Sequence, residues 1–151
     1  MSNVNELNSR SKDQELIVFR VDDLKCSLPI QEVQEVIEPP NITEVPMEKP
    51  EIEGLMNLRG RIVTIINMRV RCGSVPVDVT KNMRIIAIEM QGELMGLLVD
   101  KIEDFIQASE KNIIPVPSNI RSAVDVFGSV YKEADQLIGI LDLEKTLLGM
   151  S

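Results

Sequence analysis

Apolar and polar positions alternate along this chain in short runs, each closed by a turn signal. In Glu15–Val21, Ile17, Phe19 and Val21 share one face, and Leu24–Leu28 returns after Asp22-Asp23, so the first two strands form a hairpin. Pro29–Ile37 carries Ile30, Val33 and Ile37 at helical spacing, with Gln31, Glu32, Gln34 and Glu35 on the wetter side; this predicts a helix opened by its proline. Pro39-Pro40 ends that segment. Ile42–Val45 reads as a short strand, and Pro46 and Pro50 bracket a loop.

The next stretch holds the most apolar strand and the sharpest turn. Leu55–Leu58 and Ile62–Ile66 flank Arg59-Gly60-Arg61, and Gly60 accepts a positive φ without a Cβ penalty, so a tight hairpin is expected with Arg59 and Arg61 at its tip. Ile62–Ile66 is apolar at nearly every position, as for a strand buried on both faces. Asn67 caps a short helix, Met68–Cys72, which Gly73 ends.

Beyond Gly73, the segment to Asn82 is loop or edge strand. Met83–Met90 and Leu94–Val99 form a hairpin across Gln91-Gly92-Glu93, and Asp100–Ile106 is mixed in pattern and reads as helical. Two prolines keep Ile113–Pro117 extended and out of a central ladder. Val126–Lys132 and Gln136–Leu141 make a last hairpin, after which Asp142 caps a terminal helix, Leu143–Leu148, closed by Gly149. Many short strands with regular turns predict small barrels or a sandwich with little helix.

The two halves resemble each other. Ile17 and Phe19 match Ile86 and Ile88 at a shift of 69 (86 − 17), and Val33…Val36-Ile37 matches Ile102…Phe105-Ile106 at the same shift. Val45-Pro46 matches Val116-Pro117 at 71 (116 − 45), and Ile62–Met68 matches Leu137–Leu143 at 75 (137 − 62), setting Asn67 on Asp142. A duplication giving two similar barrels with one shared core accounts for the order of these matches. Each half alone, at about 70 residues, is marginal in size.

Composition narrows the function. The 151 residues carry a net charge of −8, which disfavours wholesale nucleic-acid binding. The chain has no histidine, so the usual general base and the commonest metal ligand are missing. Its glycines form no phosphate-binding loop, no serine or cysteine has a histidine for a triad, and no acidic run fits a calcium loop. The acidic residues in turns read as solvated, and no catalytic residue, cofactor or metal site is assigned. Cys26 and Cys72 have no C-x-x-C spacing and read as reduced structural thiols. No apolar run approaches the roughly 18 residues of a membrane span, and residues 1–14 are a polar tail without a signal-peptide pattern. A soluble cytoplasmic domain over 15–151 is the expectation.

What remains is surface. Arg59 is either a solvated turn arginine or an anchor that forks onto an acceptor, with Glu35 or Glu38 as internal partner. Val33 is core by its spacing from Ile30 or lines a groove at the segment's edge. Met56 and Met68 fill gaps or add to an adaptable apolar surface. Arg69 and Arg71 read as charges at a helix C-terminus.

Gly54–Gly73, with Asn57-Leu58-Arg59-Gly60 intact between two apolar strands, resembles the signature of the chemotaxis coupling proteins, CheW. Glu15–Phe19, Val33–Ile37, Gly96–Asp100 and Gly139–Lys145 support it, so the resemblance runs over about residues 15 to 148. It implies two five-stranded β-barrels packed through a shared hydrophobic core, with a few short helices. It also implies a non-enzymatic adaptor joining the cytoplasmic tip of a methyl-accepting chemoreceptor to the histidine kinase CheA, whose regulatory domain has the same fold. Other CheW copies are a further partner; nucleic acid and direct membrane insertion are not. Receptor contact in the family uses the groove between the barrels, and that role carries to Val33, Glu35, Gly54, Asn57, Arg59 and Ile85. The kinase-binding strand is not implied. Thr64 stands where the family often has proline, Asn67 where it often has aspartate, and Ser118–Asp125 is short. The rival readings are a pilus or developmental scaffold, a receiver-fused relative, and a small-molecule-binding barrel or enzyme.

Overall fold

A computed structural model describes residues 13–39, 42–43, 49–118, 125–148 and 150. The tail to residue 12, Val45-Pro46 and Gly149 lie outside these described residues. Strands β1 (Gln14–Val21) and β2 (Leu24–Pro29) form the first hairpin, followed by one 3-10 turn, Ile30–Glu32, and β3 (Val33–Ile37). β4 (Ile52–Leu58), β5 (Arg61–Asn67) and helix α1 (Met68–Arg71) form the central unit. β6 (Arg84–Met90), β7 (Glu93–Val99), β8 (Lys101–Ala108), β9 (Ile113–Ile114), β10 (Phe127–Glu133), β11 (Gln136–Leu141) and helix α2 (Leu143–Leu147) complete the chain.

The strands make two sheets. One has the order β3-β6-β7-β5-β4; the other, β8-β1-β2-β11-β10, gains the two-residue β9 at its edge. The sheets do not follow the sequence halves. Hairpin β1–β2 joins strands from the second half, and hairpin β6–β7 joins strands from the first. The ladders repeat under the sequence shifts. Val33 faces Ile88 as Ile102 faces Phe19, and both pairs sit beside a bulge. Thr64 faces Met95 in parallel β5–β7 as Gly139 faces Cys26 in parallel β11–β2. β4–β5 and β10–β11 share one register, from Ile52↔Ile66 and Phe127↔Leu141 to Leu58↔Arg61 and Glu133↔Gln136. A pseudo-twofold relation with exchanged hairpins organises the molecule.

Strand alternation then divides the core into three. Ile17, Phe19 and Val21 enter one large cluster with Ile66, Met68, Ile86, Ile88, Leu141 and Leu143, so both sheets and both helices share it. Leu16 and Val18 point the other way, into a small cluster with Tyr131, Ile138 and Ile140. The second sheet has the corresponding cluster of Met56, Val63, Ile65 and Ile85. Each sheet therefore curls around a small interior of its own and packs on the other through the common core. Asn67 and Asp142 cap α1 and α2 alike, each Oδ1 accepting an N–H three residues on, from Val70 at 3.3 Å and Lys145 at 3.1 Å.

Two segments read as helical are strands. Pro29–Ile37 makes only the 3-10 turn before β3, and Asp100–Ile106 is a bend at Asp100 followed by the first six residues of β8. Val33 and Ile37 are four apart, a spacing that puts residues on one face of a helix and on one face of a strand alike. Pairing with β6 and β1 satisfies their backbone groups and selects the strand. Ile62 departs from the expectation of two-sided burial: it is 64% exposed at the start of β5.

Candidate functional site

The β4–β5 hairpin closes through Arg59 and Gly60, both at positive φ (50° and 84°), the geometry of a type I′ turn. For Gly60 this conformation is free; for Arg59 it costs on the order of 1 kcal/mol. Asn57 stabilises it, its Oδ1 accepting the Gly60 N–H at 2.9 Å. The rigid turn carries Arg59 outward, its side chain 72% exposed, and Nη2 donates to Oε1 of Glu35. As an exposed ion pair this contact contributes about 0–1 kcal/mol to stability, so its weight lies in orientation. Glu38 takes no part; it approaches Arg84 instead, at 4.0 Å.

Glu35 is placed by β3, an edge strand of its sheet. The register of β3 on β6 shifts between Val33 and Glu35, leaving Gln34 as the bulged residue and re-aiming the strand. Beside the pair lies a groove of about 380 Å³ whose floor is Leu58, Ala87 and Leu94, with Gln34 and Arg61 on its rim. Gln34 also lines a larger cleft of about 790 Å³ between the two sheets, bounded by Gln31, Glu32, Ser129, Leu141 and Asp142. One track thus runs along β3 from the hairpin tip to the junction of the sheets. At its inner end, burial and then the neighbouring Asp142 carboxylate raise the Glu32 carboxyl above its ordinary range.

The structure divides the six residues singled out for this surface. Glu35, Asn57 and Arg59 meet at the tip, and Val33 is half-buried against the shared core. Ile85 is fully buried, in the small cluster flanked by Leu58 and Leu94, and supports the groove from below. Gly54 is buried too. A Cβ there would fall 2.3 Å from the Thr43 carbonyl oxygen, so its place is to let the 42–43 segment pair with Leu55. Gln34, Ala87 and Leu94 were not singled out, since only strand pairing brings them to Arg59.

Arg69 and Arg71 lie in the last turn of α1, as expected, and also act across elements. Arg69 forks onto Asp100 at 3.0 and 2.6 Å. Arg71 reaches carbonyls of α2. Burial pushes the Cys72 thiol up to about 11 and the Cys26 thiol well above its usual value; both are free and enclosed. No helix among the described residues is long and apolar enough to cross a membrane.

Two curled sheets with exchanged hairpins, presenting a held arginine over a groove, define a β scaffold whose chemistry is at its surface. The model of the CheW-like domain matches residues 15–148, and the chain belongs to that family, the adaptor family of chemotaxis signalling. The chain is 25% identical over 143 residues to the chemotaxis protein CheW of Helicobacter pylori, covering 92% of this chain and 87% of that one. It is 28% identical to the chemotaxis protein CheW of Bacillus subtilis, covering 89% and 86%. The crystal structure of the scaffolding protein TtCheW from Thermoanaerobacter tengcongensis superposes with a TM-score of 0.79 at 31% identity, over 87% of this chain and 85% of that one.

Proposed function

We propose that the chain is a non-enzymatic adaptor of the cytoplasm that couples methyl-accepting chemoreceptor tips to the histidine kinase CheA, through the kinase's regulatory domain. The observation that carries the receptor half of this reading is the Arg59–Glu35 contact at the head of an apolar-floored groove. A guanidinium oriented by one carboxylate through Nη2 keeps its other donors for an acceptor on a partner. Val33, Gln34 and Glu35 continue the surface along β3, while Ile85 is buried in the small cluster flanked by Leu58 and Leu94. The family supports the kinase half.

Adaptor function requires that the two partners bind at once. Size-exclusion chromatography of the chain with a receptor cytoplasmic fragment and the kinase regulatory domain tests this. A ternary complex is expected; displacement of one partner by the other, or failure of both to bind, contradicts the reading.

A further inference from the structure

Asn57 turns its side chain into the hairpin rather than towards the groove, and what it holds there is a single amide, the Gly60 N–H. We infer that Asn57 is the positioning residue of this site, fixing the Arg59 backbone so that its guanidinium faces Glu35 and a receptor acceptor together. The inference rests on the proposed receptor role of Arg59.

The Gly60 N–H and the Arg59 carbonyl share one peptide plane, so an acceptor that holds the amide fixes ψ of Arg59. The ladder does not do this. Leu58 and Arg61 are the last paired residues of β4 and β5, and Gly60 lies beyond them. Nor does Glu35 suffice, because it holds the far end of a long exposed side chain through Nη2. Arg59 sits at φ 50°, a sparsely populated conformation for a non-glycine residue that a further hydrogen bond on the next peptide helps to keep.

The pseudo-equivalent hairpin gives the control. Under the shift of 75 (134 − 59), Ala134 stands for Arg59 and Lys132 (132 − 57) for Asn57. Lysine has no acceptor, so that turn lacks the Asn57 contact where it also lacks the arginine. The turn there forms with Ala134 at φ 50°, although Asp135, in the place of Gly60, is not at positive φ. Asn57 is therefore dispensable both for making a hairpin and for reaching φ 50°; what it adds is a hold on the Arg59–Gly60 peptide beyond that of the turn itself.

The test is a double-mutant cycle read as affinity for a receptor cytoplasmic fragment. Asn57→Ala is expected to weaken binding about fivefold, the loss of one neutral hydrogen bond. Asn57→Asp, which keeps the acceptor, should restore binding to about twofold of wild type. Asn57→Ala added to Arg59→Ala should cost nothing further, because the arginine it aims is gone. Unchanged affinity in Asn57→Ala beside a deficient Arg59→Ala, or additive losses in the pair, would overturn this inference alone. An Arg59→Ala variant that binds normally would overturn the receptor reading and this inference with it.

Discussion

Arg71, the last residue of α1, donates through Nε to the Thr146 carbonyl in α2 at 2.8 Å. Its Nη2 reaches the neighbouring Lys145 carbonyl at 2.6 Å, so one cation satisfies the open C-terminal end of the helix from the other half. Arg71→Ala is expected to cost about 1–3 kcal/mol, the range for a charged hydrogen bond lost in a part-buried setting. Denaturant melts of wild type and variant measure it, and a midpoint identical to wild type would show that the contact holds nothing.

The exchanged hairpins make the halves interdependent. Residues 15–82 lack partners for β3 and for the parallel edge of β5, which are β6 and β7. Residues 83–151 lack β1 and β2 for β8 and β11. Expressed separately, neither half should show the amide dispersion of a fold. Two well-dispersed spectra would contradict a common core.

The enclosed thiols predict a pH effect. Cys72 ionises near 11 when folded and near its ordinary value of 9.0 when unfolded; Cys26 is shifted the same way. The unfolded chain gives up these protons first, so their contribution is intact below pH 9 and is lost as pH rises towards 11. Replacing both cysteines with alanine should flatten that part of the stability profile. The native protein should also react slowly with a thiol reagent and release both thiols in denaturant; fast native reaction would contradict the burial.

Apolar exposure recurs at related places in the two repeats. Val36 and Phe105 are 39% and 62% exposed on β3 and β8, and Ile62 and Leu137 are 64% and 41% exposed on β5 and β11. If such faces meet the kinase regulatory domain, the complex is held mainly by apolar burial. Raising salt from about 0.1 to 0.5 M shortens the Debye length from about 10 to about 4 Å and should change that affinity little. Abolition of the complex by salt would show an ionic contact instead.

The hairpins were legible because each joins a period-two pattern to turn residues, as in Leu55–Leu58 and Ile62–Ile66 around Arg59-Gly60. The caps Asn67 and Asp142 were legible from side-chain chemistry. Pro29–Ile37 and Asp100–Ile106 were misread together because they are pseudo-equivalent segments. Burial alternates every two residues along β3, whereas the bulge in β8 breaks the alternation, and in both segments the apolar residues fall at spacings of three and four. Of the site, Arg59 and a choice of acids were visible. The exchange of hairpins was not, so nothing in the sequence set Ala87 and Leu94 beside Glu35 or put Ile85 out of reach beneath them.

The proposed receptor role requires that Arg59 be held for a partner rather than for the fold. Receptor-fragment affinity of Arg59→Ala, measured with its melting temperature and its affinity for the kinase regulatory domain, tests it most directly. The expected result is at least about a tenfold loss of receptor affinity, the scale of an interface anchor, with kinase binding nearly intact. The melting temperature should stay within a few degrees, since an exposed pair contributes little. Arg59→Lys should rescue poorly, because an ammonium cannot reproduce a planar fork. Unchanged receptor affinity together with a clear fall in stability would make Arg59 a structural turn residue and rule out its receptor role.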